Sequence, residues 1–128
     1  MPKSGPATSA FNLAALITLI NVLVALGFSV AGIITSASAV APAGSHNAAL
    51  VFALYAAARA VAIAGCALVV TYRRASGALL LIGALAGVIQ LLDAGVGLVQ
   101  ADIGKTAGPL VIAALEFWAL RRLSRVEQ

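Results

Sequence analysis

Charge is scarce in this sequence. Charged residues make up 9% of its 128 residues, whereas hydrophobic residues make up 62%. Soluble domains carry about 25% charged residues, so a water-soluble protein of this composition would lack the charge to cover its surface. In a lipid bilayer the outer surface of a helical bundle is apolar as well, and the mean hydropathy of +1.09 is then expected. The sequence therefore predicts an integral membrane protein.

Reactive and metal-binding side chains are also few. Cys66 is the only cysteine and His46 the only histidine, which excludes an internal disulfide and a histidine pair for haem or zinc. No glycine-rich phosphate loop and no nucleophile beside a base is visible. The basic residues stand at the ends of hydrophobic segments, with no nucleic-acid-binding module around them. We therefore expect no enzyme, no cofactor, no metal and no nucleic-acid partner.

What the sequence does contain is four long apolar stretches. A bilayer core of about 30 Å takes about 20 helical residues. The stretches cover residues 11–34, 49–72, 77–100 and 106–121. The fourth is short. It reaches a usable length only if Thr106 caps the helix and its last turn includes arginines, whose long side chains can extend to the membrane surface. Pro109 would then lie in its first turn. We predict an all-α, four-helix transmembrane bundle that forms a single domain over residues 1–128, with a Ser/Ala/Pro/Gly-rich loop over residues 35–47.

The basic residues indicate the orientation of the bundle. Lys and Arg concentrate on cytoplasmic loops of membrane proteins. The loop after the first span has no Lys or Arg, whereas basic residues precede that span and follow the second and the fourth: Lys3, Arg73, Arg74, Arg121, Arg122 and Arg125. This pattern predicts both termini in the cytoplasm of a multi-pass protein of the bacterial inner membrane.

A signal peptide is the alternative for the first span. Ala37, Ser38 and Ala39 follow a hydrophobic run and resemble a cleavage site. However, the run is longer than the usual apolar core of a signal peptide, about 7–15 residues, and Asn21 interrupts it. We therefore expect an uncleaved span; cleavage would leave three.

Three ionisable residues lie within the predicted spans. Ionisable groups in the bilayer core are costly and usually face inward in pairs. At about 1.5 Å per residue, Arg59 lies about 15 Å from the outer end of its span, Asp93 about 10 Å and Glu116 about 12–15 Å. The three charges therefore fall in one layer. Gln90, three residues before Asp93, and Tyr55, four before Arg59, are predicted to share their helix faces and complete an intramembrane polar cluster.

This polar cluster has three interpretations. Arg59 and Asp93 can form a structural ion pair that fixes which helices are neighbours. Alternatively, Glu116 joins them in one cavity, where burial and like charge keep one carboxyl protonated, and the cluster is a ligand or proton-exchange site. In the third, Glu116 faces the headgroups or Arg121, because the fourth span is short.

Glycines in the third span indicate close helix packing. Gly83 and Gly87 form a small-xxx-small pair, and Gly95 and Gly97 follow. Small residues let helices approach closely in lipid. We expect these glycines to pack helices within one chain; a homodimer interface is the alternative.

The second and third spans resemble a known family. Tyr55 and Arg59, the Arg73–Arg74 turn followed by Gly77, and Asp93 late in the third span are similar to features of small bacterial four-helix membrane proteins of unknown function, the DUF4267 and DoxX-like group. The resemblance covers residues 49–120 and implies a membrane bundle without supplying an activity. The family tends to have an acid after the arginine, where Ala60 stands here, which leaves Arg59–Asp93 as the candidate pair.

Three functions follow as hypotheses. The first is a structural or accessory membrane protein that binds lipid or a partner membrane protein. The second is a small proton-coupled transporter, as a monomer or a dimer, of the size of small multidrug transporters. Those proteins use a glutamate in the first helix, where this chain has only Asn21, so Glu116 or Asp93 would take the role. The third is a quinone- or isoprenoid-binding subunit, with Arg59 and Tyr55 holding a head group.

Overall fold

The chain folds into four helices. The computed structural model describes residues 5–38 and 48–127. The helices are α1 (Pro6–Ser38), α2 (Ala48–Tyr72), α3 (Ser76–Val99) and α4 (Ile103–Val126), and the described residues contain no strand. All four helices are long and apolar enough to cross a membrane. The predicted all-α bundle of four candidate membrane spans is therefore confirmed.

Two predicted boundaries were wrong. α1 continues through Ser38, so residues 35–38 are helical rather than part of the loop. Lys3, His46 and the remainder of the predicted loop lie outside the described residues. α4 is 24 residues long because its cap is Asp102, whose Oδ1 accepts a hydrogen bond from the Lys105 backbone N–H at 3.1 Å. Pro109 consequently lies in the second turn, and the fourth span is of full length.

The position of Asp102 at the cap of α4 favours the ionised form of its carboxyl. The hydrogen bond from the Lys105 N–H lowers the pKa of the Asp102 carboxyl below its ordinary value. Lys105 Nζ also lies 3.5 Å from Asp102 Oδ2 and donates to Gln100 Oε1 at 2.8 Å. These contacts fix the start of α4 beside the end of α3.

The connections after α2 and α3 use the same turn. In each, a residue with positive φ follows the helix: Arg74 (φ 50°) and Ala101 (φ 52°). The next backbone N–H bonds back to the helix, from Ala75 to Val70 O and from Asp102 to Gly97 O, both at 3.1 Å. This is a Schellman-type helix end, which reverses the chain within three residues. It places α3 antiparallel to both of its neighbours in sequence.

α1 lies at the centre of the packing. It contacts all three other helices, α3 packs most extensively on α4, and α2 and α4 make no contact within the described part of the chain. One apolar core joins the start of α1 to the start of α3 and the end of α4, around Phe11, Leu79 and Leu123. A second core joins α1, α2 and α3 around Val22, Ala64 and Ala86. Ala64 and Ala67 are the buried residues of α2, and most of its other side chains are exposed.

Candidate functional site

Glu116 occupies the interior of the bundle. Its side chain is 0% exposed, and its two oxygens accept hydrogen bonds from α1: Thr18 Oγ1 donates to Oε1 at 2.5 Å and Asn21 Nδ2 donates to Oε2 at 3.1 Å. Thr18 and Asn21 reach it together because residues three apart share a helix face. Of the three interpretations, the one in which Glu116 faces the headgroups or Arg121 is therefore wrong.

The hydrogen bonds continue from α1 to α3. Gln90 Nε2 donates to Asn21 Oδ1 at 2.7 Å, and both side chains are buried. We call Thr18, Asn21, Gln90 and Glu116 the buried polar network. Since the Asn21 amide donates on one side and accepts on the other, the network has one continuous direction, from Gln90 through Asn21 to Glu116. It ties α1, α3 and α4 together near mid-bundle.

Gly83 makes room for this network. A Cβ atom at this position would lie 2.7 Å from Glu116 Oε1, 2.7 Å from Leu120 Cδ2 and 3.1 Å from Thr18 Oγ1. Such distances are shorter than van der Waals contact, so only glycine lets the carboxylate sit between α3 and α1. The predicted packing glycine is thus also part of the wall of the polar site.

The other glycines divide into two groups. A Cβ at Gly87 would lie 2.9 Å from the Phe117 ring, and one at Gly97 would lie 2.6 Å from the Lys105 backbone, so both allow α4 to approach α3. A Cβ at Gly95 would meet nothing within 4 Å. The prediction that Gly95 packs helices within the chain was therefore wrong: it lies on an outer face, where the helix needs no close approach.

A cavity of about 570 Å³ lies directly above the buried polar network. Asn21 and Gln90 form part of its wall, so the network begins at the cavity and ends at Glu116. The cavity lies between α1, α2 and α3. It extends to Gln100 at the end of α3 and to Lys105 at the start of α4. We call this end of the bundle the cavity end. Most of the remaining lining is aliphatic: Val22, Ala25, Ala53, Ala56, Ile63, Ala86, Ile89 and Val96 among others.

Arg59 and Asp93 both line this cavity. They form no ion pair, because no nitrogen of Arg59 comes within 4.0 Å of an oxygen of Asp93, and neither side chain has another hydrogen-bond partner among the described residues. The predicted Arg59–Asp93 ion pair is therefore absent. The two side chains line the same cavity without contacting each other.

Two parts of the predicted cluster were misplaced. Tyr55 is 62% exposed and lies outside the cavity, because it stands on the outer face of α2. Glu116 lies below the cavity rather than in it, and reaches it only through Asn21 and Gln90. Thr18 was not predicted; its position three residues before Asn21, within an apolar helix, was the available signal.

The arrangement offers groups that can bind a ligand. The cavity offers apolar walls, one guanidinium with several donors and one carboxyl with acceptor oxygens. No group of three or more His, Cys, Asp or Glu side chains that could hold a metal ion occurs in the described ranges. Ionisable residues that face a cavity within a membrane span are typical of ligand or ion pathways.

Comparisons with known proteins leave the family open. No family model, no curated protein and no solved structure matches this chain. The resemblance to the DUF4267 and DoxX-like group consequently stays a prediction. By its architecture the chain is a multi-pass membrane protein with four candidate spans.

Proposed function

We propose that this protein is an accessory membrane protein that binds an amphipathic, lipid-like ligand in its cavity. The observation that carries the proposal is the pair of unpartnered charges, Arg59 and Asp93, in a cavity whose other walls are mainly aliphatic. A charge without a partner within a membrane span is costly, so a ligand with a polar head would stabilise both residues. Its hydrocarbon part would lie along Ala56, Ile63 and Ile89.

The polar head needs both an acceptor and a donor. Arg59 donates hydrogen bonds and Asp93 accepts them, so a head group that carries only one of these functions would leave one charge unpartnered. Zwitterionic or hydroxyl-bearing heads meet both needs. A quinone head has acceptors only and would bond Arg59 but leave Asp93, which makes isoprenoid quinones the weaker of the lipid-like candidates.

The ligand can be found by native mass spectrometry. The protein would be extracted from its own membrane in a mild detergent, and bound molecules identified after release. We expect one defined lipid-like molecule, with occupancy reduced about tenfold or more in Arg59→Gln and Asp93→Asn, since a hydrogen bond to a charged group contributes about 1.5–3 kcal/mol. The matched control is Arg73→Gln, which removes an arginine of the α2–α3 turn far from the cavity.

Two results would contradict the proposal. One is a wild-type protein that carries no bound molecule at its cavity; the other is equal occupancy in Arg59→Gln and Arg73→Gln. Co-purification of a second polypeptide instead of a lipid would favour an accessory protein that binds another membrane protein, and a uniform dimer would favour the homodimer.

The buried polar network supports a second candidate, a proton-coupled transporter. Glu116 lies at the end of a hydrogen-bonded path from the cavity, and no basic group among the described residues forms an ion pair with it. A carboxyl in such a place is suited to take up and release a proton as the cavity fills and empties. The role assigned to a first-helix glutamate in small multidrug transporters would here belong to a residue of α4.

The orientation proposed for the bundle follows from its charges. The bundle has Arg73, Arg74, Arg121, Arg122 and Arg125 at the end opposite the cavity. Since basic residues concentrate on the cytoplasmic side, we propose that both termini are cytoplasmic and that the cavity opens toward the outer face of a bacterial inner membrane.

A further inference from the structure

One end of the bundle carries an excess of positive charge. We call it the arginine end, defined by Arg73, Arg74, Arg121, Arg122 and Arg125. None of these five forms an ion pair within the described residues. Of the chain's four acids, Asp93 and Asp102 lie at the cavity end, Glu116 is buried, and only Glu127 lies near the arginines. Among the described residues, this end of the molecule therefore has five arginines and one acid, and its net charge is positive.

A groove between α3 and α4 runs to the same end. Its volume is about 660 Å³, and its lining is apolar until it reaches Arg121 and Ser124: Leu80, Ala84, Ala114, Phe117, Trp118 and Leu120. Ser124 Oγ is held by the Arg121 backbone carbonyl at 3.0 Å, and Arg121 itself is exposed. The groove thus has a long hydrocarbon section and a single cationic terminus.

The surroundings of the groove extend this pattern. The Arg122 guanidinium lies 5.5 Å from the centre of the Trp118 ring, and Trp118 is half exposed. Arg125 follows Arg121 by one helical turn, so the two share a face. Tryptophan beside basic residues is typical of the membrane–water interface, where phosphate groups of lipids lie.

We infer that this groove binds one anionic phospholipid of the surrounding bilayer, with an acyl chain along Ala84 and Ala114 and its phosphate beside Arg121. The occupant follows from charge complementarity, since anionic lipids are attracted to clusters of Arg near the membrane surface. A second copy of the chain packed in parallel would bring two arginine ends together, and like charges disfavour that contact. The site is separate from the cavity and does not depend on the function proposed for it.

Trp118 allows a direct test, because it is the only tryptophan in the chain and lines the groove. Bromine atoms on acyl chains quench tryptophan fluorescence on contact. The protein would be reconstituted in phosphatidylcholine vesicles containing a small, equal fraction of either dibrominated phosphatidylglycerol or dibrominated phosphatidylcholine. We expect the anionic lipid to quench Trp118 more strongly, with a local enrichment of about fivefold for each arginine that contacts it.

Two pairs of variants separate the groove from general charge attraction. Arg121→Gln should lose about fivefold in enrichment, whereas Arg73→Gln, with the same change in charge at the same end, should keep it. Ala114→Phe fills the groove and should abolish the preference. Leu115→Phe enlarges the next residue, which is exposed outside the groove, and should leave the preference intact.

Three outcomes would overturn the inference. They are equal quenching by the two brominated lipids in the wild type, equal losses in Arg121→Gln and Arg73→Gln, and full preference in Ala114→Phe. Thermal unfolding of each variant in detergent verifies that it is folded before its quenching is compared. Because Arg59→Gln alters only the cavity, its quenching should match the wild type, which keeps this test distinct from that of the proposed function.

Discussion

At the scale of single residues, Glu116 and its partners decide what the interior of the bundle can do. A carboxyl with no basic partner is an expensive group to place between helices, and Thr18 and Asn21 stabilise it with hydrogen bonds. Asn21 serves both the carboxyl and Gln90, so one amide couples α4 to α3 through α1. The network is therefore both a structural tie and a path from the cavity.

Replacing Glu116 by Gln distinguishes these two roles. Gln has the same shape, its carbonyl can accept from Asn21 and its amide can donate to Thr18, so we predict a change in the free energy of unfolding of no more than about 1 kcal/mol. Glu116→Leu leaves the Asn21 donor unpaired and should cost about 1–3 kcal/mol. Thermal unfolding in detergent measures both.

The same variant tests the proton-coupled candidate. If Glu116 exchanges a proton with the cavity, binding of the cavity ligand should vary with pH in the wild type and vary less in Glu116→Gln, where Asp93 is the carboxyl that remains beside the ligand. If binding by the wild type is already the same from acidic to alkaline pH, Glu116 is a structural residue and the transporter candidate fails.

At the scale of helices, the contact between α3 and α4 depends on three glycines, which have no side chain. Gly83, Gly87 and Gly97 each remove a Cβ that would overlap α4, and together they bring the two helices into their closest contact. In a bilayer, where apolar burial drives helix association weakly, such close approach supplies dispersion contacts. α2 packs on α3 less extensively than α4 does, and the cavity lies between α1, α2 and α3.

Gly83→Ala should separate these helices. The new methyl group would overlap Glu116 and Leu120, so we predict destabilisation by about 1–3 kcal/mol and a disturbed polar network. Gly95→Ala, on the same helix, meets nothing and should be neutral or slightly stabilising, since Ala favours a helix by about 0.5–1 kcal/mol over Gly. Equal unfolding temperatures for the two variants would show that the Gly83 contact is unimportant.

At the scale of the whole molecule, the two ends of the bundle carry different sets of charged residues. The cavity end has a cavity lined by Arg59, Asp93 and Lys105, whereas the arginine end carries five arginines beside an apolar groove. With four spanning helices, the first residues of α1 and the last of α4 lie on the same side, together with the α2–α3 turn. The charge difference between the ends predicts the orientation of the bundle in the membrane.

Site-directed labelling checks this orientation. With Cys66 replaced by Ser, we expect Gln100→Cys to react with a membrane-impermeant thiol reagent added outside intact cells. Arg73→Cys should react only after the membrane is opened. The opposite pattern of labelling would invert the proposed topology and place the cavity on the cytoplasmic side.

The sequence by itself determined the class of this protein. Apolar runs of sufficient length specify four helices because backbone groups in lipid must be satisfied within the segment. Charge scarcity predicted a membrane protein, and the depth of Arg59, Asp93 and Glu116 along their helices followed from a fixed rise per residue. The cap of α4 was misplaced at Thr106 because Asp102, four residues earlier, lies beyond the apolar run that defined the span.

Only the tertiary structure decided which polar residues meet. Depth places residues in a layer, but the rotation of each helix decides whether a side chain faces the interior, a cavity or the outer surface. The rotation of a helix depends on its packing. Here Gly83 of α3 packs against Glu116 of α4, and α1 contacts all three other helices. Arg59 and Asp93 therefore share a cavity without pairing, and Tyr55 faces outward. Glu116 accepts hydrogen bonds from Thr18 and Asn21. The spacing of residues along one helix cannot reveal these contacts between helices.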